Sequence, residues 1–150
     1  CRQADVIVPN LTEAAILLEA SYREQPSFPQ VEAMLRALHK RYGCRQAVIT
    51  GILRDGLLGA AAYDAQRDCV FFHGQPPMDH VFYGTGDVLA SALLAGLMRG
   101  RSLAQATTLA VDFTYQSMLH TLDNGLPLRY GVAFEQALPL LVRSLESNAC

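Results

Sequence analysis

Four consecutive residues near the middle of the sequence, Gly84-Thr85-Gly86-Asp87, have the composition of a phosphate-binding loop. The two glycines let the backbone turn tightly and come close to a ligand. The apolar, proline-free run at residues 88–98 predicts a buried helix directly after them. The first N–H groups of a helix lack intrahelical partners and lie at the positive end of its dipole, so they bind anions. Asp87 would lie beside such an anion and could take a proton from an attacking hydroxyl.

The same four residues also fit a turn and a helix cap that bind no ligand. Aspartate and threonine are good N-caps, and glycine is common in turns. Short glycine motifs also occur by chance. This stretch alone therefore leaves both interpretations open.

Two further groups of polar residues lie near the ends of predicted strands. Asn10 and Glu13 stand three residues apart after a strand at residues 4–8, and Thr50-Gly51 lies near the end of a strand at residues 46–53. An amide and a carboxylate at the carboxyl edge of a sheet can order a magnesium ion and its waters. Alternatively, Asn10 caps the next helix, Glu13 favours its first turn, and Thr50 is an ordinary strand residue.

The composition excludes several classes of protein. A chain of 150 residues has the usual size of a single domain. The net charge of −2 provides no basic groove, so we expect no nucleic-acid partner. The single lysine, Lys40, does not follow a glycine run, which excludes a Walker-type phosphate loop. No apolar run reaches the ~18 residues of a membrane span. Four scattered cysteines without metal spacing favour reduced thiols and a cytoplasmic protein: Cys1, Cys44, Cys69 and Cys150.

The hydrophobic periodicity predicts an α/β domain in which helices cover a mostly parallel sheet. The contiguous apolar residues of the first two strands are typical of strands buried on both faces. A turn signal at residues 64–68 predicts a β-hairpin. The predicted strands are residues 4–8, 46–53, 57–63 and 69–73, and the predicted helices are residues 11–20, 31–42, 88–98, 103–122 and 134–145. In such sheets, ligands bind at the carboxyl ends of the strands, which is where the polar candidates lie.

Taken as a set, these motifs resemble the C-terminal half of a pyridoxal (pyridoxine, pyridoxamine) kinase of the ribokinase-like superfamily. The resemblance is carried by residues 4–13, Val48-Ile49-Thr50-Gly51 and Gly84-Thr85-Gly86-Asp87, and by residues 129–135, which are similar to the tail of bacterial members. It covers essentially the whole sequence. It implies a three-layer ribokinase-like fold whose N-terminal half is missing here, with residues 1–150 as a single nucleotide-binding domain.

The resemblance also implies a role for each candidate residue. Asp87 matches the base that deprotonates the 5′-hydroxyl of the vitamin, and Gly84–Gly86 match the anion hole for the transferring phosphoryl group. Asn10 and Glu13 match an Asn-x-x-Glu motif that positions Mg²⁺ and the phosphates through water, and Thr50 matches a nucleotide-phosphate contact. This agrees with the chemistry of phosphoryl transfer, which depends mainly on positioning and charge neutralisation. A free aspartate is ionised at neutral pH and can accept the proton.

The implied reaction transfers phosphate from ATP, with Mg²⁺, to a vitamin B6 vitamer, in a full-length protein that is a homodimer. Val8 stands where many relatives carry a threonine, which removes one polar contact near the metal. A hydroxymethylpyrimidine kinase of the same superfamily is the enzymatic alternative. That branch often has a cysteine in place of Asp87. A non-catalytic, nucleotide-binding α/β module is the alternative from another class.

Overall fold

The computed structural model describes residues 3–146 and divides the chain into two units, Cys1–Pro76 and Pro77–Cys150. The first unit contains a sheet with two helices, and the second is helical. No helix in the described part of the chain is long and apolar enough to cross a membrane.

A four-stranded sheet in the order β1-β2-β3-β4 forms the frame of the first unit. β1 pairs with β2 in parallel, but β2–β3 and β3–β4 are antiparallel, so the prediction of a mostly parallel sheet is wrong for the described residues. The reason is the length of the connections, because a tight turn can join only antiparallel strands. Asp55 and Gly56 make the first turn with φ of 52° and 77°, a pair of left-handed residues typical of a two-residue hairpin. The strands are β1 Val6–Ile7, β2 Gln46–Arg54, β3 Leu57–Asp64 and β4 Cys69–Gln75.

Two helices contribute to the core of this unit, α1 (Leu11–Leu18) and α2 (Phe28–Tyr42). The core contains fully buried Leu35 and Leu38 of α2 and Ile49 of β2. The helix α2 begins three residues earlier than predicted, because Pro26 and Pro29 suggest a loop that continues to Gln30. A proline is tolerated in the first helical turn, where its missing N–H would have no intrahelical partner.

A polar cluster joins α2 to the loop between β3 and β4. Arg36 forms an ion pair with Asp68 and lies over the Tyr63 ring at 4.8 Å from its centroid. The Tyr63 hydroxyl donates to Asp68 Oδ1 at 3.0 Å. The hydrogen bonds from Arg36 and Tyr63 lower the pKa of the Asp68 carboxyl below its usual value. This cluster orders the second hairpin without involving any candidate site residue.

Two of the four cysteines lie within the described residues, and both are free. Cys44 is buried, and this burial raises the pKa of its thiol, whereas Cys69 is exposed. Cys1 and Cys150 lie outside the described residues.

The second unit, as far as Glu146, contains the helices α3 (Thr85–Met98), α4 (Leu103–Asp123) and α5 (Phe134–Glu146), with a short 3-10 helix at Leu128–Tyr130. α3 and α4 approach closely at Gly96, because a Cβ atom there would lie 3.0 Å from the Ala106 Cβ. Ser102 is the N-cap residue of α4, and its hydroxyl oxygen accepts the Gln105 N–H at 3.3 Å. The apolar side chains of α5 are only partly covered, since Phe134 and Val142 are 40% and 48% exposed.

Candidate functional site

The first turn of α3 is formed by the glycine motif itself. The helix begins at Thr85, three residues earlier than the predicted run, so Thr85, Gly86 and Asp87 are helical. Gly84 is the N-cap residue, with the left-handed φ of 76° and ψ of 1° that glycine adopts readily. The first intrahelical hydrogen bond runs from the Val88 N–H to the Gly84 carbonyl, at 3.1 Å. The three N–H groups before it therefore point out of the helix end.

No side chain in the described part of the chain caps this helix end. Gly86 and Asp87 are exposed, and Thr85 is half-buried. A Cβ atom built on Gly86 would meet nothing within 4 Å, so the space beside this backbone is open. Outward N–H groups, the positive end of a dipole and open space are the properties of an anion-binding helix terminus. The exposed Asp87 carboxylate lies in the same turn and can act as a proton acceptor.

Asn10 and Glu13 form a reciprocal capping box at the start of α1. Asn10 Oδ1 accepts the Glu13 N–H at 2.8 Å, and Glu13 Oε2 accepts the Asn10 N–H at 2.9 Å. Asn10 is the N-cap residue, with an extended backbone at φ −75° and ψ 174°. This geometry corresponds to the alternative interpretation of the pair, in which both side chains stabilise the helix start. It leaves Glu13 Oε1 without a hydrogen bond to any described residue.

Thr50 lies beside this helix start. Its N–H donates to the Pro9 carbonyl at 3.0 Å, and Thr50 and Asn10 form a parallel bridge. The strand β2 bulges directly afterwards, where Gly51 has φ of 75°. Thr50 lies in the middle of β2 and not near its end as predicted, because the strand continues past the bulge to Arg54. The structure thus brings Asn10 and Thr50 together just beyond the end of β1, with Glu13 in the adjoining first turn of α1. Gly84–Asp87 forms a separate group within the second unit.

The donor set in the first unit fits a magnesium ion only in a water-mediated form. Within residues 3–146 no cluster of three or more His, Cys, Asp or Glu residues could hold a metal ion. The available donor is the exposed Glu13 carboxylate, one of whose oxygens caps α1. Mg²⁺ commonly keeps several waters and takes only one or two protein carboxylates, the rest of its shell being phosphate oxygens. Glu13 suits that limited role.

Gly131 lies near the start of α3, and the sequence motifs did not identify it as a candidate site residue. It has φ of 96°, and a Cβ atom on it would lie 3.8 Å from the carbonyl oxygen of Tyr83. Tyr83 directly precedes the Gly84 N-cap. A glycine between two predicted helices is a signal for a left-handed backbone. The sequence pattern does not predict that Gly131 lies next to Tyr83.

Comparisons with known proteins identify related chains. The sequence profile of the phosphomethylpyrimidine kinase family matches residues 1–129. The pyridoxal kinase of Lactobacillus plantarum is 32% identical, with a TM-score of 0.84 over 98% of this chain and 54% of its own. The comparison with curated proteins gave no match.

A Bacteroides thetaiotaomicron protein, provisionally assigned as a phosphomethylpyrimidine kinase, is similar in two crystal forms. The rhombohedral form is 30% identical, with a TM-score of 0.88 over 93% of this chain and 48% of its own. The orthorhombic form, which contains pyridoxal, has a TM-score of 0.86 at 30% identity over 93% of this chain and 50% of its own.

This chain spans about half the length of these solved structures. The mixed α/β architecture, with its four-stranded sheet, matches that of the pyridoxal kinase. The family profile covers well over half of the chain, including both groups of candidate residues. The chain therefore belongs to the phosphomethylpyrimidine kinase family.

Proposed function

We propose that this chain is the nucleotide-binding part of an ATP-dependent kinase that phosphorylates the 5′-hydroxyl of pyridoxal, pyridoxine or pyridoxamine. The observation that carries the proposal is the first turn of α3, which has outward N–H groups and the exposed carboxylate of Asp87. Phosphoryl transfer requires positioned donors for the charge on the phosphoryl oxygens and an acceptor for the hydroxyl proton. One helical turn supplies both.

In this mechanism the N–H groups of Thr85, Gly86 and Asp87 donate hydrogen bonds to the transferring phosphoryl group. The hydroxyl oxygen of the vitamer bonds to the γ-phosphorus while the bond to the β,γ-bridging oxygen breaks, so that ADP leaves. Asp87 accepts the hydroxyl proton. Because these donors are fixed by the helix before the reaction, they need no reorganisation as charge moves onto the leaving oxygen.

The polar group in the first unit is assigned a supporting role in the same reaction. We assign to Glu13, with Asn10, the ordering of a water-bound Mg²⁺, and to the Thr50 hydroxyl a contact with a nucleotide phosphate. A bound Mg²⁺ would supply neutralisation of the phosphate charge. Asn10 acts indirectly here, because its side chain holds the first turn of α1 that carries Glu13.

Two observations favour a vitamin B6 vitamer as the acceptor. The Lactobacillus plantarum relative is a pyridoxal kinase that matches 98% of this chain. The Bacteroides protein, although assigned to the pyrimidine kinases, was crystallised with pyridoxal. The family profile itself favours a second candidate, the phosphorylation of a hydroxymethylpyrimidine or its phosphate. Pyridoxal and hydroxymethylpyrimidine both present a hydroxymethyl group on an aromatic nitrogen ring, so one catalytic turn serves either of these two acceptors.

The test combines nucleotide binding with acceptor profiling. The chain is titrated with a non-hydrolysable ATP analogue with Mg²⁺ and with EDTA, and turnover is measured with pyridoxal and with hydroxymethylpyrimidine. We expect Mg²⁺-dependent binding and a higher kcat/KM for pyridoxal. A higher kcat/KM for hydroxymethylpyrimidine would contradict the assignment of a vitamin B6 vitamer as the acceptor and support the pyrimidine instead. Binding without turnover would restrict the proposal to a nucleotide-binding module, and absence of binding would contradict it.

A further inference from the structure

Helix α4 carries a row of buried hydroxyl groups that are bonded within the helix. The side chains of Thr114, Ser117 and Thr121 donate to the carbonyl four residues earlier, at 2.8, 2.8 and 2.7 Å. Such bonds satisfy a hydroxyl group inside an apolar helix bundle without any ligand. For Thr114 and Ser117, this bond within the helix satisfies the buried hydroxyl group.

Thr121 differs from the others because it also holds a distant backbone group. Its Oγ1 accepts the Ala133 N–H at 2.8 Å, across twelve residues of chain. Thr121 is fully buried and Ala133 is 8% exposed, so water does not readily replace this bond. Loss of the hydroxyl would leave a buried N–H without a partner, which costs more than an exposed hydrogen bond does. Thr121 thus anchors the segment between the 3-10 helix and α5 to α4.

The anchored segment reaches the start of α3. Gly131, two residues before Ala133, lies against the carbonyl oxygen of Tyr83, which would be 3.8 Å from a Cβ atom at that position. Tyr83 leads directly into Gly84, whose left-handed backbone begins the helix. A continuous series of contacts therefore runs from the Thr121 hydroxyl to the first turn of α3.

We propose that Thr121 is a positioning residue for the N–H groups at the start of α3, an inference that rests on the proposed function of that turn. It does not touch the phosphoryl group. It fixes the segment from Gly131 to Ala133, against which Tyr83 and Gly84 are placed. Small misplacements of hydrogen-bond donors weaken binding of an anion, since the donors act only at the right distance and angle.

The experiment compares three variants of the full chain. Thr121→Val removes the hydroxyl at constant shape, Thr121→Ser retains it, and Thr114→Val removes a buried hydroxyl that has no distant partner. Amide hydrogen exchange is measured at Val88, whose N–H closes the first turn of α3, and at Ala110 in the middle of α4. The dissociation constant of a non-hydrolysable ATP analogue with Mg²⁺ is measured in parallel.

We expect Thr121→Val to speed exchange at Val88 by about tenfold while Ala110 is unaffected, and to weaken nucleotide binding by about tenfold. Thr121→Ser and Thr114→Val should resemble the parent chain in both measurements. Equal acceleration at Val88 and Ala110 would mean a general loss of stability and would overturn the inference, as would no change at Val88.

The two readouts separate this inference from the proposed function. If the parent chain binds no nucleotide, the proposed function fails, whereas exchange at Val88 still decides the role of Thr121. If Thr121→Val does not fold, Gly131→Ala disturbs the same series of contacts from its other end, because alanine is strained at a φ of 96°. Unchanged exchange at Val88 in that variant would again contradict the inference.

Discussion

The helices α1 and α3 begin in opposite ways. α1 starts at Asn10, which is extended and exchanges two hydrogen bonds with Glu13, so side chains of the helix satisfy its own backbone. α3 starts at Gly84, which is left-handed and has no side chain to offer. The first arrangement stabilises a helix, and the second leaves donors facing outward. The difference indicates that the α3 start is the better candidate for direct contact with phosphate.

The α4 start supports this contrast. Ser102 and Gln105 repeat the reciprocal arrangement of α1, with bonds of 3.0 and 3.3 Å between backbone and side chain. Capping boxes of this kind stabilise helices whose N-terminal N–H groups have no other partner. The α3 start lacks the capping box that α1 and α4 have, which is a local departure from helix-stabilising rules. Such departures concentrate at functional sites.

The largest effect is expected from Asp87→Ala at the open helix start. Turnover should fall by about 10²–10⁴-fold, because a general base acts in the transition state. Affinity for the ATP analogue should stay within a few-fold of the parent. The measurements are steady-state kinetics with pyridoxal and calorimetric titration. The control is Asp79→Ala, which removes an exposed carboxylate of the same unit. A near-normal kcat in Asp87→Ala would refute the assignment of the base.

Gly86→Val tests whether the space beside the open end is used by a ligand. A Cβ atom there meets no described residue within 4 Å outside its own helical turn, so the free energy of unfolding should change by less than about 0.5 kcal/mol. The nucleotide dissociation constant should rise by about tenfold, since the side chain occupies the path of the phosphate. Ser91→Val places the same side chain at an exposed position later in α3 and serves as control. If both variants bind nucleotide like the parent, the anion hole lies elsewhere.

The smallest effects are expected at the capped end, where two substitutions separate capping from metal binding. Asn10→Ala breaks the capping box and should lower the free energy of unfolding by about 1 kcal/mol. Glu13→Gln should retain the box, as Gln105 does in α4, while losing the charge. Denaturant unfolding measures the free energy of unfolding of Asn10→Ala. Nucleotide titration with and without Mg²⁺ measures the Mg²⁺-dependent affinity of Glu13→Gln. We expect Glu13→Gln to lower only the Mg²⁺-dependent affinity; an unaltered Mg²⁺ response would leave Glu13 as a cap alone.

The sequence predicted the presence of the helices and strands better than it predicted where they begin and whether neighbouring strands pair in parallel. Apolar periodicity and apolar runs located every described helix of eight or more residues, since burial determines both pattern and structure. The turn signal at residues 64–68 located the second hairpin. The start of α3 was missed because Gly-Thr-Gly suggests a loop, although the first turn tolerates poor helix formers. The antiparallel pairing of β2 with β3 was missed because contiguous apolar residues indicate burial and not direction.

The candidate site was predictable only in part. The chemistry of Asp87 and Glu13 follows from residue type, but whether a side chain caps its own helix depends on the backbone angles at Asn10. The anchoring of Ala133 by Thr121 joins positions twelve residues apart, and no local pattern marks that hydrogen bond. Such contacts arise from tertiary packing, which single-sequence periodicity does not encode.

The parallel pairing of β1 also has a kinetic consequence. The two hairpins join strands through short turns. The pairing of β1 with β2, in contrast, brings Val6 next to Gln46, which lies about 40 residues later in the chain. Closing that larger loop carries a greater entropic cost, and non-local pairings of this kind are slow steps in folding. Asn10 and Thr50 face each other through this same pairing. We therefore expect the polar group of the first unit to form after the hairpins during folding.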